Sequence, residues 1–249
     1  MGNWLNVGVT GTAIWPKAET QVSFGGRELL LRPATAEAAQ SIHIDLDTGI
    51  ADDDALTLIN RFLSVLSWCD DQPIENKYGW SGNPTPTSVP RESLHAGSSI
   101  AFPFYRELET DPKAHLALAL FREGRTINSV PFAFLSYFKI LNIFWEDKFR
   151  TVGGVRANQV VEGMRAAIPH VSDSLARDRI LNLQTAKVDV AKYLYESCRC
   201  AVAHAHTGTI ADPDNITDIR RLSADIWIVK AIAEDLITKT LGLSRSIIQ

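Results

Sequence analysis

Along the first third of the chain, apolar and polar positions alternate in short runs. Trp4–Val9, Gln21–Phe24, Glu28–Arg32 and Ser41–Leu46 follow the two-residue period of strands, and Gly25-Gly26 between the second and third runs supplies a tight hairpin turn. They predict a small antiparallel sheet. The period then lengthens to that of a helix. Leu56, Ile59, Phe62, Leu63 and Leu66 share one face, and Asp52, Asp53 and Asp54 suit the positive end of the helix dipole where it starts. Three prolines and a glycine between Trp80 and Pro90 forbid helix and interrupt a strand ladder. That stretch predicts an ordered loop, pinned to a core by Tyr78, Trp80 and Val89.

Beyond Pro112 the pattern is helical. Lys113–Glu123 reads as a short helix closed by Gly124, and Pro131–Trp145 is so nearly apolar throughout that it predicts a helix buried all round. Further helices are predicted at Ser172–Asn182, Leu183–Ala205 and Ile216–Leu241, the last with Ile219, Leu222, Ile226, Val229, Ile232, Ala233 and Leu236 at helical spacing. The expected fold class is α+β. A small β-rich N-terminal domain with one amphipathic helix occupies residues 1–110, and an all-α helical bundle occupies 111–249.

Composition narrows the setting. With 45% apolar residues the chain can bury a core, so neither disorder nor a disulfide-held minidomain fits. No apolar run approaches the roughly 18 to 20 residues of a membrane span, and the start MGNWLNVGVTG lacks the basic and apolar regions of a signal peptide. Three cysteines, two of them at Cys198 and Cys200, suit reduced thiols, and the expected location is cytoplasmic. The net charge of −4 argues against bulk nucleic-acid affinity. It is unevenly spread, however. Residues 37–75 carry nine acids and one base, whereas Lys148–Lys187 carries seven bases against three acids, so a polyanion should meet the second half.

Three groups of residues could carry chemistry. Asp45, Asp47, Asp52, Asp53 and Asp54 cluster at a strand end, where an acidic loop could hold a hard cation or could simply be a turn before a helix. Cys198, Cys200, His204 and His206 suggest zinc, but residues two apart on a helix point away from each other, so only Cys200 and His204 share a face and no metal is expected. Third, Arg199 is followed by His204 and His206 near a helix end. An imidazole can take a proton from a ribose 2′-hydroxyl or give one to the leaving 5′-oxygen, and a guanidinium can hold the phosphate in the transition state. Five residues on an ideal helix set Arg199 and His204 about 140° apart, so both reach one phosphate only if the helix end unwinds or a second copy contributes. The plain alternative is a partly buried arginine with two histidines favouring the helix dipole.

The Arg-x4-His spacing of Arg199 and His204 before Asp212-Pro213-Asp214 and a final long helix resembles the HEPN domain (higher eukaryotes and prokaryotes nucleotide-binding). That resemblance implies a helical bundle that pairs into a homodimer with a composite site, and a cofactor-free, metal-independent endoribonuclease, often a toxin or defence effector. It carries over Arg199 and His204 as catalytic residues, with His206 also inside the spacing window. Cys200 stands where catalytic members often have a polar residue. Leu63–Trp68, Gly79–Pro84 and Phe134–Ile140 are similar to stretches of the methylamine-utilisation J proteins, whose name reflects gene neighbourhood and implies no chemistry. The Asp45–Asp54 segment resembles the Asp-rich signature of nucleoside hydrolases, with one residue inserted before the paired aspartates and without that family's alternating βα units.

The leading expectation is therefore an endoribonuclease acting on single-stranded or loop RNA. His204 would be general acid/base and Arg199 the phosphate clamp, with His206, Arg177, Arg179 and Lys187 as RNA contacts and a neutralising partner protein conceivable. A non-catalytic RNA- or nucleotide-binding or protein-interaction module is the alternative. A calcium-dependent nucleoside hydrolase on Asp45, Asp47 and Asp52 is the third reading.

Overall fold

A computed structural model describes residues 3–90, 99–100, 102, 104–152, 155–203, 211–212 and 214–247. The protein is α+β, with an antiparallel five-stranded sheet in its N-terminal part and helices in its C-terminal part. Packing divides the chain into two units, Met1–Thr126 with Ser244–Gln249, and Ile127–Leu243.

In the first unit the strands are β1 (Trp4–Gly11), β2 (Trp15–Pro16), β3 (Thr20–Phe24), β4 (Arg27–Arg32), β5 (Ser41–Asp45), β6 (Ile74–Asn83) and β7 (Ser99–Ile100). The sheet order is β3-β4-β5-β1-β6, while β2 and β7 form a separate parallel pair. Gly25 and Gly26 both have positive φ, 58° and 70°, as the β3–β4 hairpin turn requires. β6 exceeds expectation: part of the predicted loop is an edge strand paired with β1, in which Gly79 lies opposite Val7. The loop after it does pin to the core through Val89, fully buried, and Tyr78 donates to the Pro90 carbonyl at 2.8 Å.

Helix α1 (Asp52–Asp70) begins at the aspartate triplet, with Ala51 rather than an aspartate as its cap. Its buried stripe starts at Ala55 and Leu58, with Leu56 only half-buried, and from Phe62 to Trp68 the helix is enclosed on all sides. Phe62 meets Phe24 and Phe104 edge-to-face at 5.4 and 5.0 Å, joining helix to sheet. Helix α2 (Pro112–Thr126) runs through Gly124 and packs on α1, placing Phe121 against Trp68. The chain end returns to this unit. Ser244 accepts from the Trp68 indole at 2.8 Å and from the buried Arg106 at 2.7 Å, and the Arg245 guanidinium lies 4.4 Å from the Trp68 ring centre.

Central strands β5 and β1 are buried on both faces, which forces polar residues inside. His43 Nδ1 donates to Asn6 Oδ1 at 2.9 Å, its Nε2 accepts from Ser41 at 2.8 Å, and Asn6 Oδ1 also takes the Thr87 amide at 2.8 Å. Burial, aided by the charge of Arg32 and opposed by Glu19, lowers the His43 pKa to about 4.

The second unit contains α3 (Val130–Phe144), the hairpin β8 (Phe149–Val152) and β9 (Val155–Asn158), α4 (Gln159–Ala167), α5 (Ser174–Thr185), α6 (Val190–Tyr193), α7 (Ala201–Ala203) and α8 (Ile216–Asp235). Helix α3 packs on α8, as does α5. The expectation that α3 is buried all round needs correction: Phe132 is 58% exposed and Lys139 faces solvent, so one stripe is open. The helix expected over Leu183–Ala205 is broken after α5, where Lys187 takes a left-handed φ of 60°. From α6 it continues as a π-helical stretch, Leu194–Cys200, into α7. A second π-helical stretch, Leu236–Thr240, extends α8.

Candidate functional site around Arg199

Two side-chain clusters lie on different sides of the Val190–Ala203 helix. Tyr195 and Arg199, four apart, project together; the guanidinium carbon stands 5.6 Å from the phenol ring centre. Arg199 Nη2 pairs with Asp147 Oδ2 at 2.8 Å, and both side chains are about one-fifth exposed, 22% and 21%. The other Asp147 oxygen accepts from the Tyr195 hydroxyl at 2.7 Å and from the Asn158 amide at 2.8 Å. Burial and the bond to Asp147 push the Tyr195 pKa up, so it stays a proton donor. Asn158 also caps α4, its Oδ1 accepting from the Val160 and Val161 amides. One carboxylate therefore gathers three donors from two separate segments, the Leu194–Cys200 stretch and the end of β9.

Packing fixes that carboxylate. Trp145, two residues before Asp147, lies against α4 at Gly163, where a β-carbon would clash with the indole ring. Only glycine lets helix and ring approach so closely.

On the other side, Tyr193 and Cys198 face α8. Asp225, fully buried, accepts from Arg179 Nε at 2.8 Å, from Tyr193 at 2.7 Å and from the Cys198 thiol at 3.4 Å. Arg221 donates to the Ser197 carbonyl at 2.9 Å and lies 3.4 Å from both the Tyr193 oxygen and the Cys198 sulfur. Burial first, then the charge of Asp225, raises the Cys198 pKa and keeps it a neutral thiol. The π-helical stretch carries both clusters: adjacent Cys198 and Arg199 point to different sides of the helix and so serve different partners.

Of the expected RNA contacts, Arg177 on α5 and Lys187 just after it are exposed, whereas Arg179 is engaged by Asp225. Elsewhere in the basic stretch, Arg165 is paired with Glu162 and with Asp189. His204 and His206 lie outside the described residues. Cys198 and Cys200 do diverge: the first is buried against Asp225, the second lies beside Arg199. In the acidic segment, Asp45 accepts from the Asp47 amide at 3.0 Å and caps a short 3-10 turn, and Asp52 accepts from Ser81 at 2.5 Å. Among the described residues no three His, Cys, Asp or Glu side chains stand together as a metal would need. Nor is any described helix long and apolar enough to cross a membrane.

Sequence reasoning missed Asp147, Tyr195, Asn158, Tyr193, Arg221 and Asp225. One signal was available for Asp225, which falls on the core stripe of α8 with Leu222, Val229 and Ile232, where a charge must be paired. Asp147 carried none, because its partner lies 52 positions away, from 147 to 199.

No curated protein and no solved structure matches the chain. Residues 117–238 match a family model, a span just under half the chain that takes in both clusters, and over it the chain is similar to the family described as methylamine utilization protein MauJ.

Proposed function

We propose that the helical unit binds RNA at Arg199 and cleaves it without a metal, as an endoribonuclease of HEPN type. The observation that supports this is the set of donors around Asp147. A guanidinium, a phenol and an amide converge on one anionic group at a partly open position, and phosphate oxygens compete for the same donors as a carboxylate does. In this reading RNA displaces Asp147 from Arg199. The 2′-hydroxyl gives its proton to a histidine, with His204 in that role, and its oxygen attacks phosphorus. The bond from phosphorus to the 5′-oxygen breaks as that oxygen takes a proton from a protonated imidazole, the second copy's His204 in a homodimer, producing a 2′,3′-cyclic phosphate and a free 5′-hydroxyl. A homodimer through the helical unit would supply a second Arg/His pair, and Arg177 and Lys187 would attract the backbone.

A second reading, a non-catalytic RNA-binding module, is favoured by the charge balance. Arg199 already has a carboxylate partner, Arg179 is held by Asp225, and Cys200 follows the arginine.

Incubating the protein with single-stranded RNA in EDTA, beside Arg199→Ala and His204→Ala, separates the readings. Fragments ending in 2′,3′-cyclic phosphate from the wild type, with a loss of at least about a hundredfold in either variant, are expected. Intact but retained RNA selects the binding module. RNA neither cut nor retained refutes both.

A further inference from the structure

We infer that a cleft on the five-stranded sheet, on the face turned away from Phe24 and α1, is a binding site for a neutral sugar ring, held by its flat side on Trp4 and by its hydroxyls on Glu28, Asp45 and Gln21. The site lies in the first unit and owes nothing to the RNA reading of Arg199. Pairing register puts these residues on one face. Trp4 stands opposite Asp45, Gln21 opposite Leu30, and Leu30 opposite His43, so Glu28, two residues before Leu30, comes level with Asp45, two residues after His43. Leu5, Val22, Leu29 and Ile44 alternate with them and are buried on the other face. The ladder between β4 and β5 ends at Leu30–His43, and a cavity of about 420 Å³ opens there, with Trp4 and Leu30 among its walls.

The lining matches such a ligand group by group. A sugar ring has a C–H face that can lie on an indole, and each of its hydroxyls both donates and accepts. Among the described residues the Gln21 and Glu28 side chains have no hydrogen-bond partner, and Asp45 uses only Oδ1, which accepts from the Asp47 amide at 3.0 Å. Acceptors therefore stand open at Glu28 and Asp45, and Gln21 offers a donor as well as an acceptor. Arg27 is held at the rim, donating to the Thr48 carbonyl at 2.7 Å, and keeps further N–H groups for a ligand oxygen. Like charges level with each other on neighbouring strands destabilise a sheet, so Glu28 and Asp45 cost the fold something that hydroxyl donors offset. Charge selects against ions of either sign. A phosphate would meet two carboxylates and an ammonium would meet the Arg27 guanidinium, whereas a hydroxyl suits both. A pyranose and the ribose of a nucleoside share this chemistry.

The test titrates the full chain with the methyl pyranosides of glucose, galactose, mannose and xylose, and in a second arm with adenosine and uridine beside their 2′-deoxy forms, read by calorimetry and by saturation-transfer NMR. Saturable binding of at least one pyranoside or ribonucleoside is expected, and the arm that binds names the source of the ring. Glu28→Ala changes an exposed side chain and leaves the fold intact, so it carries the decision: affinity should fall roughly ten- to a hundredfold with the loss of a charged hydrogen bond. Trp4→Phe should retain most of the binding and Trp4→Ala lose it. No binding in either arm overturns the assignment. Unchanged affinity in Glu28→Ala also overturns it, because the ligand then sits elsewhere. Deoxynucleosides bound as tightly as ribonucleosides would overturn the nucleoside arm, because the paired hydroxyls would then be idle.

Discussion

Replacing His43 by asparagine should remove most of the acid sensitivity that this residue brings to the first unit. Asparagine can still donate to Asn6 Oδ1, but it has no site to protonate. In the wild type the imidazole pKa falls from 6.5 to about 4 because the ring is buried between Asn6 and Ser41, with Arg32 adding to the effect. A lowered folded-state pKa means that stability is intact above the unfolded value and is lost as pH falls towards the folded one. Between about pH 7.5 and 4.5 the unfolded chain takes up this proton and the folded chain does not, which costs about 2.5 kcal/mol. Urea unfolding of both proteins at pH 7.5, 6.0 and 4.5 measures it. The asparagine variant is the less stable at neutral pH, where the Ser41 hydroxyl loses its acceptor, and the gap should close by about 2.5 kcal/mol on acidification. A gap independent of pH would refute the reasoning, as would an NMR titration placing the His43 midpoint above pH 6.

Two further substitutions test the helical unit. Gly163→Ala drives a methyl group into the Trp145 ring and should destabilise this unit by about 1 to 3 kcal/mol, read as a lower thermal midpoint with altered tryptophan fluorescence. Asp225→Ala strips the shared acceptor from Arg179, Tyr193 and Cys198 and leaves guanidinium charge uncompensated; the expected loss is about 3 to 5 kcal/mol by chemical denaturation.

The periodic elements were legible in the chain itself. α1, α3 and α8 follow from apolar spacing, and the β3–β4 hairpin follows from Gly25-Gly26, because local periodicity sets which face an element buries. β6 was hidden because Asn76, Tyr78 and Trp80 alternate with Glu75, Lys77 and Gly79, a pattern with little apolar content that pairs only because β1 offers an open edge. The β8–β9 hairpin was hidden for a similar reason, its Phe149 and Arg150 looking like loop residues until Asp147 and Asn158 close its base. The π-helical stretch at Leu194–Cys200 has no compositional mark.

Residue type and spacing made Arg199 a candidate, since a guanidinium followed by histidines near a helix end can hold a phosphate and move a proton, beside the plainer use of histidines favouring the helix dipole. What surrounds it was decided by folding. Asp147 meets Arg199, and Asp225 takes Arg179 and Tyr193, across separations of 52, 46 and 32 positions. A sequence determines locally what each segment can bury and which groups it carries. Which charges meet depends on where packed helices bring them, because a carboxylate and a guanidinium distant in the chain share no local pattern, and only burial in a common core holds them to one geometry.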